Sequence, residues 1–115
     1  MKDQIIGLLN GSKAGSVSFK EVIEFIEGHF EHTPTAFKNG AAYNEASQNQ
    51  GSAKVFAFAK INNLNETDTL YLFAEHYQSV LDHPDAEDHQ NIRQFMANGW
   101  EGIVFEGEPL RLFSL

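Results

Sequence analysis

Residues 33–62 read TPTAFKNGAAYNEASQNQGSAKVFAFAKIN, and this stretch decides the fold. Pro34 disfavours helix in the residue before it, so Thr33-Pro34 ends any helix that precedes it. Asn39-Gly40 is the strongest short hairpin signal, because both central positions of a type I′ turn take positive φ. Thr35–Lys38 and Ala41–Asn44 are therefore expected as short paired strands. Ala53–Asn62 reads two ways. Its alternation suits a strand, while its alanines and the polar Asn, Gly and Ser before it suit a buried helix. The helix reading is preferred and sets the class as α+β.

On the N-terminal side, residues 2–9 place Ile5, Ile6, Leu8 and Leu9 on a short helix that stops at Asn10-Gly11, with Ser12–Val17 as loop. Ser18-Phe-Lys-Glu21 is a capping box that starts a second helix running to about Phe30. Phe19, Val22, Ile23, Ile26 and Phe30 share one face of it, and Glu21, Glu24, Glu27 and Glu31 mark the wet side. On the C-terminal side, Asn65-Glu-Thr-Asp68 opens a helix carrying Leu70, Phe73, Ala74, Tyr77, Val80 and Leu81 at helical spacing, ended by His83-Pro84. Asp85 is suited to cap a further helix with Ile92, Phe95 and Met96 inward and Gly99 as its stop. Ile103–Glu106 and Leu110–Phe113 read as a second hairpin around Gly107-Glu108-Pro109.

The expected architecture is about five helices packed on a small antiparallel sheet made of the two hairpins, in a single domain spanning 1–115. Isolated two-stranded ribbons are marginal, so the hairpins are expected to pair or at least to share the core. A chain of 115 residues with 42% hydrophobic residues and 10 Phe is long enough for one core.

The chain has 16 acidic and 8 basic residues, a net charge of −8. That balance disfavours nucleic acid and anionic membranes as partners. Its apolar runs are too short to span a bilayer, and MKDQIIGLLNGSK lacks the features of a signal peptide, so a soluble protein that does not use the general secretory route is expected. There is no Cys, which removes disulfides, thiol nucleophiles and thiolate metal sites.

Catalytic signatures are sparse. No HExxH, G-x-S-x-G, P-loop or G-x-G-x-x-G occurs, so no catalytic residue is assigned. His83 and His89 flank Pro84 among Asp82, Asp85 and Asp88, but their spacing matches no metal-site pattern, and no metal or cofactor is expected. Ser52 reads as a helix-capping hydroxyl and Trp100 as core packing, or, if exposed, as an anchor for a weak dimer. The polar stretch offers the best site. Asn39, Asn44, Glu45, Gln48 and Asn49, with His89 and Asn91 from downstream, are the candidate ligand-binding residues. Asn44, Glu45, Ser47 and Gln48 have no evident structural duty, whereas Asn39 suits a turn and Asn49 and Ser52 a helix start. Asn91, beside Ile92, is placed to hydrogen-bond the polar loop.

The segments FEHTPTAFKNG, NEASQNQGSAKVFAFA and DHQNIRQFMANGWEGIVFEG resemble the HopJ type III effector family, over about Phe19 to Gly107. The chain departs from the family pattern N-E-A-G-Q-N-x-G-S-C-K at Ser47 and Ala53, so any role for that thiol does not carry over. The resemblance implies a protein of the bacterial cytoplasm and delivery from there into a host cell through a type III apparatus. It implies no catalytic residue, cofactor or substrate. The expected function is thus that of a HopJ-like protein binding an unidentified protein or small-molecule partner, as a monomer or weak dimer. The alternative is a small enzyme or a metal- or ligand-binding protein using a polar pocket around Asn44, Glu45 and His89.

Overall fold

The computed structural model describes residues 1–113. The fold is α+β, with six α-helices and two small antiparallel sheets. The order is α1 (Lys2–Ala14), α2 (Phe19–His29), β1 (Phe30–His32), β2 (Phe37–Asn39), β3 (Ala42–Asn44), α3 (Gln50–Ile61), α4 (Glu66–Tyr71), α5 (Glu75–Asp82), α6 (Gln90–Asn98), a 3₁₀ turn (Gly99–Gly102), β4 (Ile103–Phe105) and β5 (Leu110–Leu112).

Helix α3 is the centre. Val55, Phe56, Ala57, Phe58 and Ala59 are all buried, as expected for a helix surrounded on every side. Its alanines let neighbours approach, and Phe56 is the hub. Its ring lies 4.9 Å from Phe95, 5.3 Å from Phe73 and 6.2 Å from Phe37. Trp100 is half-buried and meets Phe95 edge-on at 5.0 Å, so it is a packing residue and offers no exposed anchor. The Ser18–Glu21 capping box is present in both directions. The other helix boundaries hold less well.

The first helix runs on to Ala14 instead of stopping at Asn10-Gly11, and Gly15 in the left-handed region ends it. Gly11 has a packing role: a Cβ there would strike the Val17 side chain, which folds back over the helix. The helix expected from Asn65 to His83 is two helices. Leu72 and Phe73 are both buried, and Ala74 at φ 52° leaves the helical region and redirects the chain into α5. Asn65 does cap α4, accepting from the Asp68 N–H at 2.7 Å. Helix α6 starts after His89, not at Asp85, and Gly99 stops it. Met96 is 45% exposed, at the edge of the face that buries Ile92 and Phe95.

The strands pair differently from the two-hairpin expectation. β2 and β3 form the first hairpin, but Asn39 pairs with Ala42, so the loop is Gly40-Ala41, one residue later than Asn39-Gly40. Gly40 alone of the two takes positive φ. The shift leaves Asn39 inside a strand with its side chain facing the core. The segments 103–105 and 110–112 do not pair with each other. β4 pairs with β2, and β5 pairs with β1. Both ladders keep one continuous register. Each step forward from Phe30 to Asn39 is matched by a step back from Leu112 to Ile103. Between them Thr33 N–H donates to Pro109 O, and Glu106 N–H donates to Ala36 O. Pro34 and Pro109 have no N–H to donate, which interrupts this long ribbon and divides it into two sheets.

Candidate functional site

Four asparagines meet where the β2–β3 hairpin faces helix α6. Asn39, Asn44 and Asn91 are all buried, at 0%, 2% and 7% exposure. Asn39 Nδ2 donates to the Asn91 carbonyl at 2.8 Å and to Asn91 Oδ1 at 3.0 Å. Asn44 Nδ2 donates to Asn91 Oδ1 at 3.2 Å and more weakly to Phe37 O at 3.4 Å. Asn91 Nδ2 donates to Asn44 Oδ1 at 3.0 Å. Asn49 Nδ2 donates to the same Asn44 oxygen at 2.7 Å. An amide has two donor hydrogens and one oxygen with two lone pairs, so a ring of amides satisfies itself without charge. Asn39 Oδ1 is the exception and has no partner.

On the solvent side of this cluster lies a cavity of about 630 Å³ between β3, the start of α3 and the start of α6. Asn44, Asn49 and Asn91 form one wall, Gln48, Ser52, His89 and Gln90 the rim, and Phe73 and Ile92 the floor. Tyr43 also borders it, and its hydroxyl donates to Glu106 at 2.6 Å. That bond raises the Tyr43 phenol above its ordinary pKa.

The segment that carries His89 is tied down by Arg93. Its guanidinium donates to the carbonyls of Asp88 at 2.6 Å, His83 at 3.0 Å and Pro84 at 3.1 Å, and to Asp88 Oδ1 at 2.9 Å. The Arg93 hydrogen bond holds the Asp88 carboxyl below the usual carboxylate range. The His89 ring rests 5.1 Å from the His76 ring, which meets Phe19 edge-on at 4.8 Å. The remaining histidines are bound to backbone: His29 Nδ1 to Phe25 O, His32 Nδ1 to Pro109 O and His83 Nδ1 to Ser79 O. Among the described residues no three His, Asp or Glu side chains converge as metal ligands would.

Of the residues singled out from sequence, Asn44, Gln48, Asn49, His89 and Asn91 border this cavity. Asn39 stands behind Asn91 and supports it. Glu45 is outside. It is exposed, does not line the cavity, and is bonded nearby through its backbone alone: its N–H donates to Gln48 Oε1 at 3.1 Å and its carbonyl accepts from the Gln48 N–H at 2.9 Å. Ser52, Gln90, Tyr43, Phe73 and Ile92 were not assigned to a site by sequence. Ser52 read as a cap, yet the α3 N-cap is Asn49, in the left-handed region and without a side-chain capping bond, and Ser52 faces the cavity. The left-handed Asn49 is a signal that the bare sequence does not carry.

A hydrogen-bonded amide cluster walling a surface cavity, on an α+β frame of six helices and two short sheets, defines the class. The chain belongs to the HopJ type III effector family, whose profile, described as HopJ type III effector protein, matches residues 5–110. It is similar to a solved structure described as "Crystal structure of unknown function protein VPA0580". The two are 41% identical with a TM-score of 0.89, over 98% of this chain and 94% of the other. Comparison with curated proteins gives no match.

Proposed function

We propose that this HopJ-family protein acts by binding a small polar ligand in the cavity between the β2–β3 hairpin and helix α6. One observation carries the reading: the buried Asn44–Asn91 amide pair forms a wall that is satisfied within itself, while the rim above it keeps polar groups free. A satisfied buried polar network is stiff, and a stiff wall holds its free neighbours in place before a ligand arrives. The volume of about 630 Å³ lies within the usual range of small-molecule sites. Ser52 and His89 both line the cavity, but no hydrogen bond joins them, so binding is better supported than nucleophilic catalysis.

Delivery through a type III apparatus is the accompanying proposal, supported by the family. No helix among the described residues is long and apolar enough to cross a membrane. Amide NMR of the ¹⁵N-labelled protein against a mixed library of polar metabolites tests the binding. Saturable shifts at Asn44, Asn49 and Asn91 support it, and a library that moves none of them overturns it. A translocation reporter fused to the chain tests delivery. Retention of the reporter in cells with a working apparatus would argue against it.

A further inference from the structure

We infer that the cavity takes an uncharged saccharide, a ring with hydroxyl groups at its edges and C–H groups on its faces. This rests on the binding reading above and names its ligand class.

The first support is charge. Lys, Arg, Asp and Glu are all missing from the cavity lining, in a chain where they make up 21% of residues. An ionised ligand entering it would lose water without gaining a fixed opposite charge, His89 being the one lining group able to become cationic, and that is costly.

The second is the set of unpaired polar atoms. Gln48 Oε1 is used by the Glu45 N–H, which leaves its Nε2 as a free donor. Asn49 and Gln90 each use one amide hydrogen, on Asn44 Oδ1 and Glu87 O, which leaves each with one N–H donor and a free oxygen acceptor. The Ser52 hydroxyl, able to donate and accept, has no partner among the described residues. A carboxylate or phosphate accepts but does not donate, so it would leave the Asn49 and Gln90 oxygens without a bond. An ammonium donates but does not accept, so it would face the Gln48 nitrogen without a bond. A hydroxyl does both, and several on one ring match this mixed set.

The third is the floor. Phe73 and Ile92 lie beneath the cavity, each 2% exposed, so the base adds no charged or polar contact. The Phe73 ring is stacked on Phe19 at 5.9 Å and packed on Phe56 at 5.3 Å, so it has no open face on which a nucleobase could stack.

The test is amide NMR titration of the intact chain with separate probes: N-acetylglucosamine, methyl glucoside and cellobiose as neutral saccharides, inorganic phosphate and citrate as anions, spermidine as a cation, and uridine as a stacking ligand. The expected result is saturable movement of Asn44, Gln48, Asn49, Ser52 and Asn91 with at least one saccharide, and with no other probe. Ser52→Ala and Gln48→Leu, both at the rim and outside the buried amide cluster, should each weaken that saccharide about tenfold without lowering Tm. Saturable movement of these amides by an anion, spermidine or uridine overturns the saccharide inference and leaves the binding reading standing. Saccharide affinity unchanged in both variants also overturns it. No movement with any probe overturns both.

Discussion

Asn44 and Asn91, 47 positions apart in the chain, hydrogen-bond each other in both directions: Asn44 Nδ2 donates to Asn91 Oδ1 at 3.2 Å, and Asn91 Nδ2 donates to Asn44 Oδ1 at 3.0 Å. The reciprocal bond joins the only hairpin among the described strands to the helix that borders the cavity. Both residues are buried, so neither amide has water as a ready substitute. Asn91→Leu, close in size, removes the reciprocal pair and the Asn39 bond to Oδ1. It should destabilise the protein by roughly 2–4 kcal/mol, since buried partners are left unpaired. The double variant Asn44→Leu/Asn91→Leu should cost less than the sum of the two single changes. Chemical denaturation of the four proteins measures this, and strict additivity would contradict a coupled pair.

Gly99 should tolerate no side chain. It sits at φ 62°, ψ −153°, a region almost confined to glycine, and an added Cβ would strike the Glu66 carboxylate. That carboxylate accepts from the Trp100 N–H at 3.0 Å. Gly99→Ala should therefore cost roughly 2–4 kcal/mol through backbone strain and the lost bond. Thermal unfolding would show it, together with a change in Trp100 fluorescence.

His32 should make the protein less stable in mild acid. Burial, helped by the nearby Lys54 charge, lowers its pKa, despite the opposing pull of Pro109 O and Glu27. Its Nδ1 faces Pro109 O at 3.1 Å, and its Nε2 is buried with no partner for a second proton. A histidine with a lowered folded pKa binds more protons when unfolded. Stability is then full above the ordinary value of about 6.5 and falls as pH drops from there toward the folded pKa. Asp88, held down by Arg93, gives a separate loss in the more acidic carboxylate window. His32→Gln should thus gain on the wild type as pH falls from about 7 to about 5. A Tm difference that stays constant across that range would count against the assignment.

Arg93 should control the mobility of residues 83–89. Its guanidinium holds three carbonyls of that segment and the Asp88 carboxylate, while its own side chain is 14% exposed. Arg93→Met keeps the apolar stem and removes the bonds. Faster amide hydrogen exchange is expected across 83–89, with exchange in α3 much less affected. Uniform loss of protection instead would mean that Arg93 supports the whole fold and not one cavity wall.

Much of the local structure is legible in the chain. The Ser18 capping box, the turn near Gly40, the apolar stripe of α2, the buried alanine-rich α3 and the Gly99 stop each follow from side-chain chemistry within a few residues. Asn44 and Gln48, read as polar residues without a local duty, border the cavity, as do Asn49, His89 and Asn91 of the candidate set. The places where local reading went astray depend on what packs there. Gly11 yields to the Val17 side chain folded back over it, Phe73 at the break after α4 packs on Phe19 and Phe56, and Glu45, inside the same polar run as its neighbours, turns to solvent.

Sequence by itself determined the α+β class, the family and the stretches that become helix, because these rest on periodicity, capping and turn residues that act over a turn or two of chain. Tertiary structure alone decided that residues 103–112 lie along residues 30–39 as one interrupted ribbon, that Asn39 faces inward, and that amides from the hairpin close on Asn91. Strand register is chosen by whichever distant segment satisfies its backbone and buries its apolar face, and an amide's duty is set by the group across from it. No residue carries that information until the chain has closed around α3.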